Sequence, residues 1–296
     1  MYRTWVILRH TFREATTQPI YALLLIVGAV ILGIYCSLPF FTFGEDTLMF
    51  KSVGLDVVLV IALLLALFAA ARTVHEEIED RTMLTLMSKP VARYQVILGK
   101  FLGLAASSAL AIALLGGVLA FCIWLRVPRD FGLPPEPVES FAVERLDRLR
   151  SLHLTGLWPQ LVLLWMQVGV LVAIATAIST RFGIVVSLPA ALLLYIVGNL
   201  TRFIDAAAGD AGGVSGAVAW VLTTLLPFLR VFDLTDLTVY GQIARAGEDP
   251  GLSATTVSRL WTYVGAALLY FVSYCAFVLT LAVASFRTRE LGGNEG

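Results

Sequence analysis

A metal-dependent hydrolase is the first chemistry that the residue types raise. His75 and Glu76 begin like the zinc-binding sequence H-E-x-x-H. That sequence needs a second histidine one helical turn later, so that two imidazoles face the same metal ion. Glu79 stands at that position. The pattern therefore excludes a zinc pair of this kind at His75.

The same stretch can also be read as E-E-x-x-x-R, with Glu76, Glu77 and Arg81. This resembles the first motif of the intramembrane CAAX-type proteases, which also need histidines on other spans. The two remaining histidines, His10 and His153, fall in an N-terminal helix and an external loop of the predicted layout. An intramembrane protease is therefore the less favoured alternative.

Gly99 and Lys100 are the closest approach to a phosphate-binding loop. In the motif G-x-x-x-x-G-K-[ST], the first glycine and the final hydroxyl fall where Tyr94 and Phe101 stand. Neither position has the residue that the motif requires. We therefore expect this chain to carry no ATP-binding motif and no enzymatic activity of its own.

The elements that hold these residues are those of a membrane protein. The chain is 58% hydrophobic and only 14% charged, and its mean hydropathy is +0.85. Soluble domains average about 45–50% apolar and about 25% charged residues. An all-α integral membrane bundle is the predicted fold class. The formal net charge of zero gives no reason to expect nucleic acid as a partner.

Apolar runs long enough to cross the lipid core predict six transmembrane helices. The first run is longer than the apolar part of a signal peptide, so we expect it to be a retained span. The predicted spans are Pro19 to Phe43, about Leu55 to Val74, Phe101 to Leu125, Leu157 to Thr180, Ile184 to Leu200 and Trp261 to Phe286.

The segments between the spans are polar, short or rich in proline. Residues 1–18 have the pattern of an amphipathic helix in the membrane interface. The predicted external loop 126–156 is proline-rich from Pro128 to Pro137, with a short surface helix at Phe141 to Leu152. A second external loop, 201–260, contains the apolar run Val214 to Phe228, which is too short to span and is predicted to be re-entrant or interfacial.

Basic residues close to span ends set the orientation, because such residues favour the cytoplasmic side. They include Arg72, Lys100, Arg181, Arg287 and Arg289. The interpretation is a single multi-pass domain, 1–296, in the cytoplasmic (inner) membrane, with both termini and residues 75–100 in the cytoplasm.

Small residues and cysteines inside the predicted spans indicate close packing between helices. Gly103, Ser107, Gly116 and Gly117 allow a helix to approach span three closely, and the neighbour can belong to the same chain or to another. The cysteines Cys36, Cys122 and Cys275 lie far apart in separate apolar runs. Their spacing indicates neither a metal site nor a disulfide framework, and we interpret them as buried structural residues.

Residues 75–100, here called the elbow, form a polar segment that lies between two of the most apolar runs of the sequence. Pro90 disfavours helix at Lys89 and suits the first turn of a new helix, so a break is predicted before Val91. Leu84, Leu86 and Met87 give one side of the elbow an apolar character. A solvated loop resting on the bilayer is the alternative interpretation.

The residue pattern of the elbow is more specific than a solvated loop would require. The run Glu79-x-x-Thr82, Leu86-Met87-Ser88-Lys89-Pro90-Val91-x-Arg93, Ile97-Leu98-Gly99-Lys100 resembles the permease subunits of export-type ABC transporters. That family has a motif like E-x-x-T…L-L-S-x-P-V-x-R…I-L-x-G-K between spans two and three. Arg81 departs from it, since many members have glycine there.

The resemblance implies a permease whose elbow docks into a groove on a separate ATP-hydrolysing subunit. ATP and Mg²⁺ would bind to that subunit, and the permease would pair with a second copy or with a related permease, surrounded by membrane lipids. A non-transporting membrane scaffold is the runner-up function. The residues expected to contact the ATPase subunit are Glu76, Glu77, Glu79, Asp80, Arg81, Thr82, Leu86, Met87, Pro90, Arg93 and Lys100.

Overall fold

The computed structural model describes residues 2–38, 46–79, 92–130, 140–180, 182, 184–210, 227–240 and 250–287. All regular secondary structure in these ranges is helical. The elements are α1 (Tyr2–Thr17), α2 (Pro19–Ser37), α3 (Asp46–Glu79), α4 (Arg93–Asp130), α5 (Ser140–Thr155), α6 (Leu157–Ser179), α7 (Ile184–Asp210), a 3₁₀ turn (Leu229–Phe232), a π turn (Asp236–Tyr240) and α8 (Pro250–Arg287).

Five helical stretches of the described ranges are long and apolar enough to cross a membrane. They are Pro19–Ser37, Thr47–Thr73, Tyr94–Pro128, Leu146–Ser179 and Ser258–Ser285. The predicted fifth span corresponds to a shorter apolar helix, Val185–Asn199. The predicted class, an all-helical membrane bundle, is confirmed, and the count of six spans stays a prediction.

The second and third spans are longer helices than their apolar runs indicate. Helix α3 begins at Asp46 rather than near Leu55, because Lys51 is buried and makes a hydrogen bond inside the protein. Helix α4 continues past Leu125 and through Pro128, where a loop was predicted. A proline this close to a helix end removes few backbone hydrogen bonds, and the buried residues Arg126 and Val127 hold this last turn in place.

Helix α6 is the centre of the bundle and is buried along nearly its whole length. It packs against α3, α4, α7 and α8. Glycines make two of these approaches close: a Cβ atom at Gly116 would meet Leu161 at 2.6 Å, and one at Gly169 would meet Phe271 at 2.7 Å. Helix α6 therefore connects four other helices of the bundle.

The small residues predicted to pack span three divide between two environments. Gly103 contacts α1, and Gly116 contacts α6. The backbone carbonyl of Ser107 accepts a hydrogen bond from the Tyr21 hydroxyl of α2 at 2.8 Å. Nothing lies within 4 Å of the position that a Cβ atom at Gly117 would take. For three of the four residues, therefore, the neighbour is in the same chain.

Helix α1 presents one face to the bundle and another to its surroundings. Thr11 and Ala15 are buried, whereas Tyr2 and Trp5 are 81% and 61% exposed. Trp5 therefore lies outside the packed face of α1. This leaves aromatic side chains of α1 free to meet a lipid interface, as an interfacial helix requires.

Candidate functional site at the base of the elbow

The structure places the two ends of the elbow but not its middle. Glu76, Glu77 and Glu79 lie in the last turns of α3, and Arg93 is the first residue of α4. Helix α3 thus continues beyond the apolar run, and α4 begins at Arg93, whereas the predicted break before Val91 lies outside the described residues. The expected contact residues Asp80, Arg81, Thr82, Leu86, Met87 and Pro90 lie outside the described residues.

Lys100 joins the two helices where the elbow leaves the bundle. Its side chain is 3% exposed, and its ammonium nitrogen donates to the backbone carbonyl of Thr73 at 3.1 Å. Thr73 lies on α3 and Lys100 on α4, so the bond connects the helices on either side of the elbow. A charged donor makes a stronger hydrogen bond than a neutral one, which favours a firm connection.

The first turns of α4 also hold α1. A Cβ atom at Gly99 would meet the Ile7 side chain at 2.8 Å, and one at Gly103 would meet the Thr11 Cβ at 2.7 Å. The absence of side chains at two positions four apart lets the backbones approach. Helices α1, α3 and α4 therefore form a joint, here called the elbow base.

The sequence contains a local signal for the contact with α1. Gly99 and Gly103 form a G-x-x-x-G pattern, which is typical of closely packed membrane helices. Read as a phosphate loop, Gly99 and Lys100 were a failed motif. In the structure they supply a packing surface and a buried hydrogen-bond donor.

Two more side chains tie α4 to the bundle a turn beyond the elbow base. The Trp165 indole of α6 donates to the carbonyl of Ala105 at 2.9 Å, and Tyr21 of α2 donates to that of Ser107. Both bonds reach the same short length of α4. The first four turns of α4 are thus in contact with α1, α2, α3 and α6.

The side of α4 that faces α8 is packed less tightly. An apolar groove of about 300 Å³ separates the start of α4 from the last turns of α8. Its walls are Tyr94, Ile97, Leu98, Ala276, Leu279, Thr280 and Val283. Helix α8 is therefore not joined to the elbow base as α1 and α3 are.

The opposite end of the bundle contains residues 227–240, here called the plug segment. Most of it is not α-helical, although Leu229, Phe232, Thr238 and Val239 are fully buried. Buried backbone outside regular helices is stable only where other groups of the protein satisfy its polar atoms. The predicted re-entrant run just before it lies largely outside the described residues.

Side chains of the surrounding helices satisfy the plug segment's backbone. The Lys51 ammonium of α3 donates to the Thr238 carbonyl at 2.9 Å, and the Tyr263 hydroxyl of α8 donates to the Val231 carbonyl at 2.8 Å. The Phe228 amide donates to the Tyr270 hydroxyl at 3.0 Å. Sequence reasoning missed these roles, because none of the three side chains forms a local motif.

These two regions consist of close helix contacts and buried hydrogen bonds. Among the described residues, no group of three histidines, cysteines or carboxylates could hold a metal ion. What the elbow base offers instead is a set of close helix contacts beside an elbow with both charge signs. Such an arrangement can transmit a force.

Comparison with known families supports this interpretation. A family model described as ABC-2 family transporter protein matches residues 5–291. No curated protein is similar enough to the chain to count as a match. The matched range includes most of α1 and all of the elbow, the plug segment and α8.

Proposed function

Since the chain belongs to the ABC-2 family of transporter permeases, we propose that it is the membrane-spanning subunit of an ATP-driven export complex. Membership makes it a multi-pass membrane component of an ABC transporter and not the ATP-binding subunit. The proposal adds the coupling: a separate ABC ATPase subunit binds ATP and Mg²⁺, and the elbow receives its movement.

Recognition between the two subunits is of the helix-in-groove type. Leu86 and Met87 supply apolar area to the groove of the ATPase subunit. Glu79 and Arg93 orient the elbow, because complementary charges fix the register of an interface more than they add affinity. Pro90 keeps the two helical pieces of the elbow at an angle.

The observation that carries the proposal is the elbow base. Lys100 bonds to Thr73 across the two helices, and Gly99 and Gly103 hold α1 against α4. A push on the elbow therefore moves α1, α3 and α4 together. The groove toward α8 leaves room for this unit to tilt.

The lengths of the two helices support a lever. Helix α3 has 34 residues and α4 has 38. At 1.5 Å per residue each is more than about 50 Å long, whereas the lipid core is about 30 Å thick. A tilt applied at the elbow therefore reaches the far side of the membrane, where Lys51 near the start of α3 holds the plug segment.

The remaining parts of the proposal concern the assembly. Six spans place both termini and the elbow in the cytoplasm, where ATP is available. Two permeases form the pathway, either two copies of this chain or this chain with a related one. The apolar spans fit a hydrophobic or lipid-like cargo better than a charged solute.

Co-purification tests the proposal. The chain is expressed with a cognate ABC ATPase subunit and isolated through a tag on the permease. In Leu86→Asp, an unpaired charge enters a desolvated contact, which can cost about 3 kcal/mol or more and weaken binding about 100-fold. We expect the ATPase subunit to be lost while the permease elutes and melts as the wild type does.

Ser88→Asp is the matched control, because it adds the same charge to the elbow at a polar position. We expect this variant to keep the ATPase subunit. Equal retention by both variants would mean that the elbow is a solvated loop, and a chain that binds no ATPase subunit at all would favour the scaffold function.

A further inference from the structure

Two cysteines that lie 86 positions apart in the sequence meet in the structure. Cys36 lies at the end of α2 and Cys122 in the last third of α4. The Cys36 thiol donates to the Cys122 carbonyl with a sulfur–oxygen distance of 3.7 Å, which places the thiol beside the Cys122 backbone. Cys36 is partly exposed and Cys122 is buried.

A second contact holds these two helix segments together. The Arg126 guanidinium of α4 donates to the carbonyls of Tyr35 and Cys36 at 3.0 and 3.4 Å. It also lies over the Phe50 ring, 5.3 Å from the ring centre. The end of α2 is thus fixed on α4 one turn away from the thiols, so the thiol pair is part of the packing.

We propose that Cys36 and Cys122 form a redox-sensitive thiol pair, which a small-molecule disulfide converts into an intramolecular disulfide between α2 and α4. Two features define the site: a partly exposed thiol on α2, and a buried cysteine on α4 whose backbone carbonyl that thiol contacts. Cys275 lies buried on α8 and is not part of the pair.

The chemistry balances as thiol–disulfide exchange. The Cys36 thiol loses its proton and attacks one sulfur of the reagent, which breaks the sulfur–sulfur bond and releases one small thiol after protonation. The Cys122 thiol then loses its proton and attacks the Cys36 sulfur, releasing the second small thiol. Two cysteines are oxidised, and one small disulfide is reduced to two thiols.

The exposures assign the order of the two steps. A partly exposed thiol reacts first because the reagent can reach it, whereas a buried thiol reacts through its neighbour. Cys36 is therefore the attacking residue and Cys122 the resolving residue. The product pins the end of α2 to α4 and restrains any sliding between these helices.

The test uses the full chain in detergent micelles, with 2,2′-dithiodipyridine as the membrane-permeant disulfide. After treatment, the protein is denatured, free thiols are capped with a maleimide, and the capped sites are mapped by peptide mass spectrometry without reduction. We expect two of the three free thiols to disappear, a peptide pair linking Cys36 to Cys122, and Cys275 left free. Dithiothreitol should restore all three.

Three variants separate the pair from unspecific oxidation. In Cys122→Ser, Cys36 should stop at the mixed disulfide with the pyridine reagent, and in Cys36→Ser, Cys122 should stay free. Cys275→Ser should form the same linked peptide as the wild type. A wild-type chain that keeps three free thiols, or that stops at a mixed disulfide on Cys36, would overturn the proposal whatever the variants do.

Discussion

Gly103→Ala adds a single methyl group at the contact between α1 and α4. The new Cβ atom would lie 2.7 Å from the Thr11 Cβ and 2.8 Å from the Leu8 carbonyl oxygen. The second neighbour is helix backbone and cannot rotate away. Its distance is about 0.6 Å short of the 3.4 Å at which ordinary contact begins, so α1 must move outward.

The size of the effect follows from two opposing terms. Overpacking costs about 1–3 kcal/mol, whereas alanine gains up to about 1 kcal/mol over glycine inside a helix. Gly117→Ala, in the same helix, carries the second term alone, since nothing lies within 4 Å of its Cβ position. The helix term cancels between the two variants, and we expect Gly103→Ala to be less stable by about 1–3 kcal/mol.

Two assays read this difference. The first is the midpoint of thermal unfolding in one detergent, which should be lower for Gly103→Ala than for Gly117→Ala. The second is the labelling rate of a cysteine placed at Ala15 of α1, a buried position that should become reactive only with Gly103→Ala. Equal midpoints together with a protected cysteine would refute the packing of α1 on the elbow base.

Three further predictions concern other parts of the chain. A cysteine at Ser88 should react only with reagents that reach the cytoplasm, and one at Pro135 only from outside; labelling of both from one side would contradict the proposed orientation. Pro90→Ala should keep the ATPase subunit bound but uncouple ATP hydrolysis from transport, because the apolar surface remains while the elbow angle is lost; coupled transport at the wild-type rate would refute this role. Lys51→Met removes a charged hydrogen bond worth about 1.5–3 kcal/mol, which destabilises the protein. It also removes the cost of burying a charge, which is several kcal/mol and offsets that loss. We therefore expect little change in the unfolding midpoint but faster maleimide labelling of a cysteine at Thr238, and an unchanged labelling rate would contradict the role of Lys51.

The helical membrane class could be predicted because it depends on local composition. Runs of about 20 apolar residues have few stable alternatives in lipid, so α2, α4 and α6 could be found from the letters alone. The ends of the helices could not be found so well. A polar residue such as Lys51 ends an apolar run, but its partner, Thr238, lies 187 positions away.

The candidate site could likewise be predicted only in its local features. The elbow motif indicated the family, since a motif depends on neighbouring residues, and the break predicted at Pro90 stays a prediction. The bond between Lys100 and Thr73, and the seating of α1 on Gly99, depend on how separate helices pack. Buried contacts of this kind form only when the whole bundle is assembled. Cys36 and Cys122, which lie 86 positions apart in the sequence, are another example.

The most direct test of the central claim is a cross-link from the elbow to the ATPase subunit. A photoreactive benzoylphenylalanine replaces Met87 in the complex expressed with its ATPase subunit, and Pro135 is replaced in the same way as a control. The account predicts a covalent product of permease and ATPase subunit from position 87 and none from position 135. Absence of that product from a complex that still contains both subunits would contradict the account.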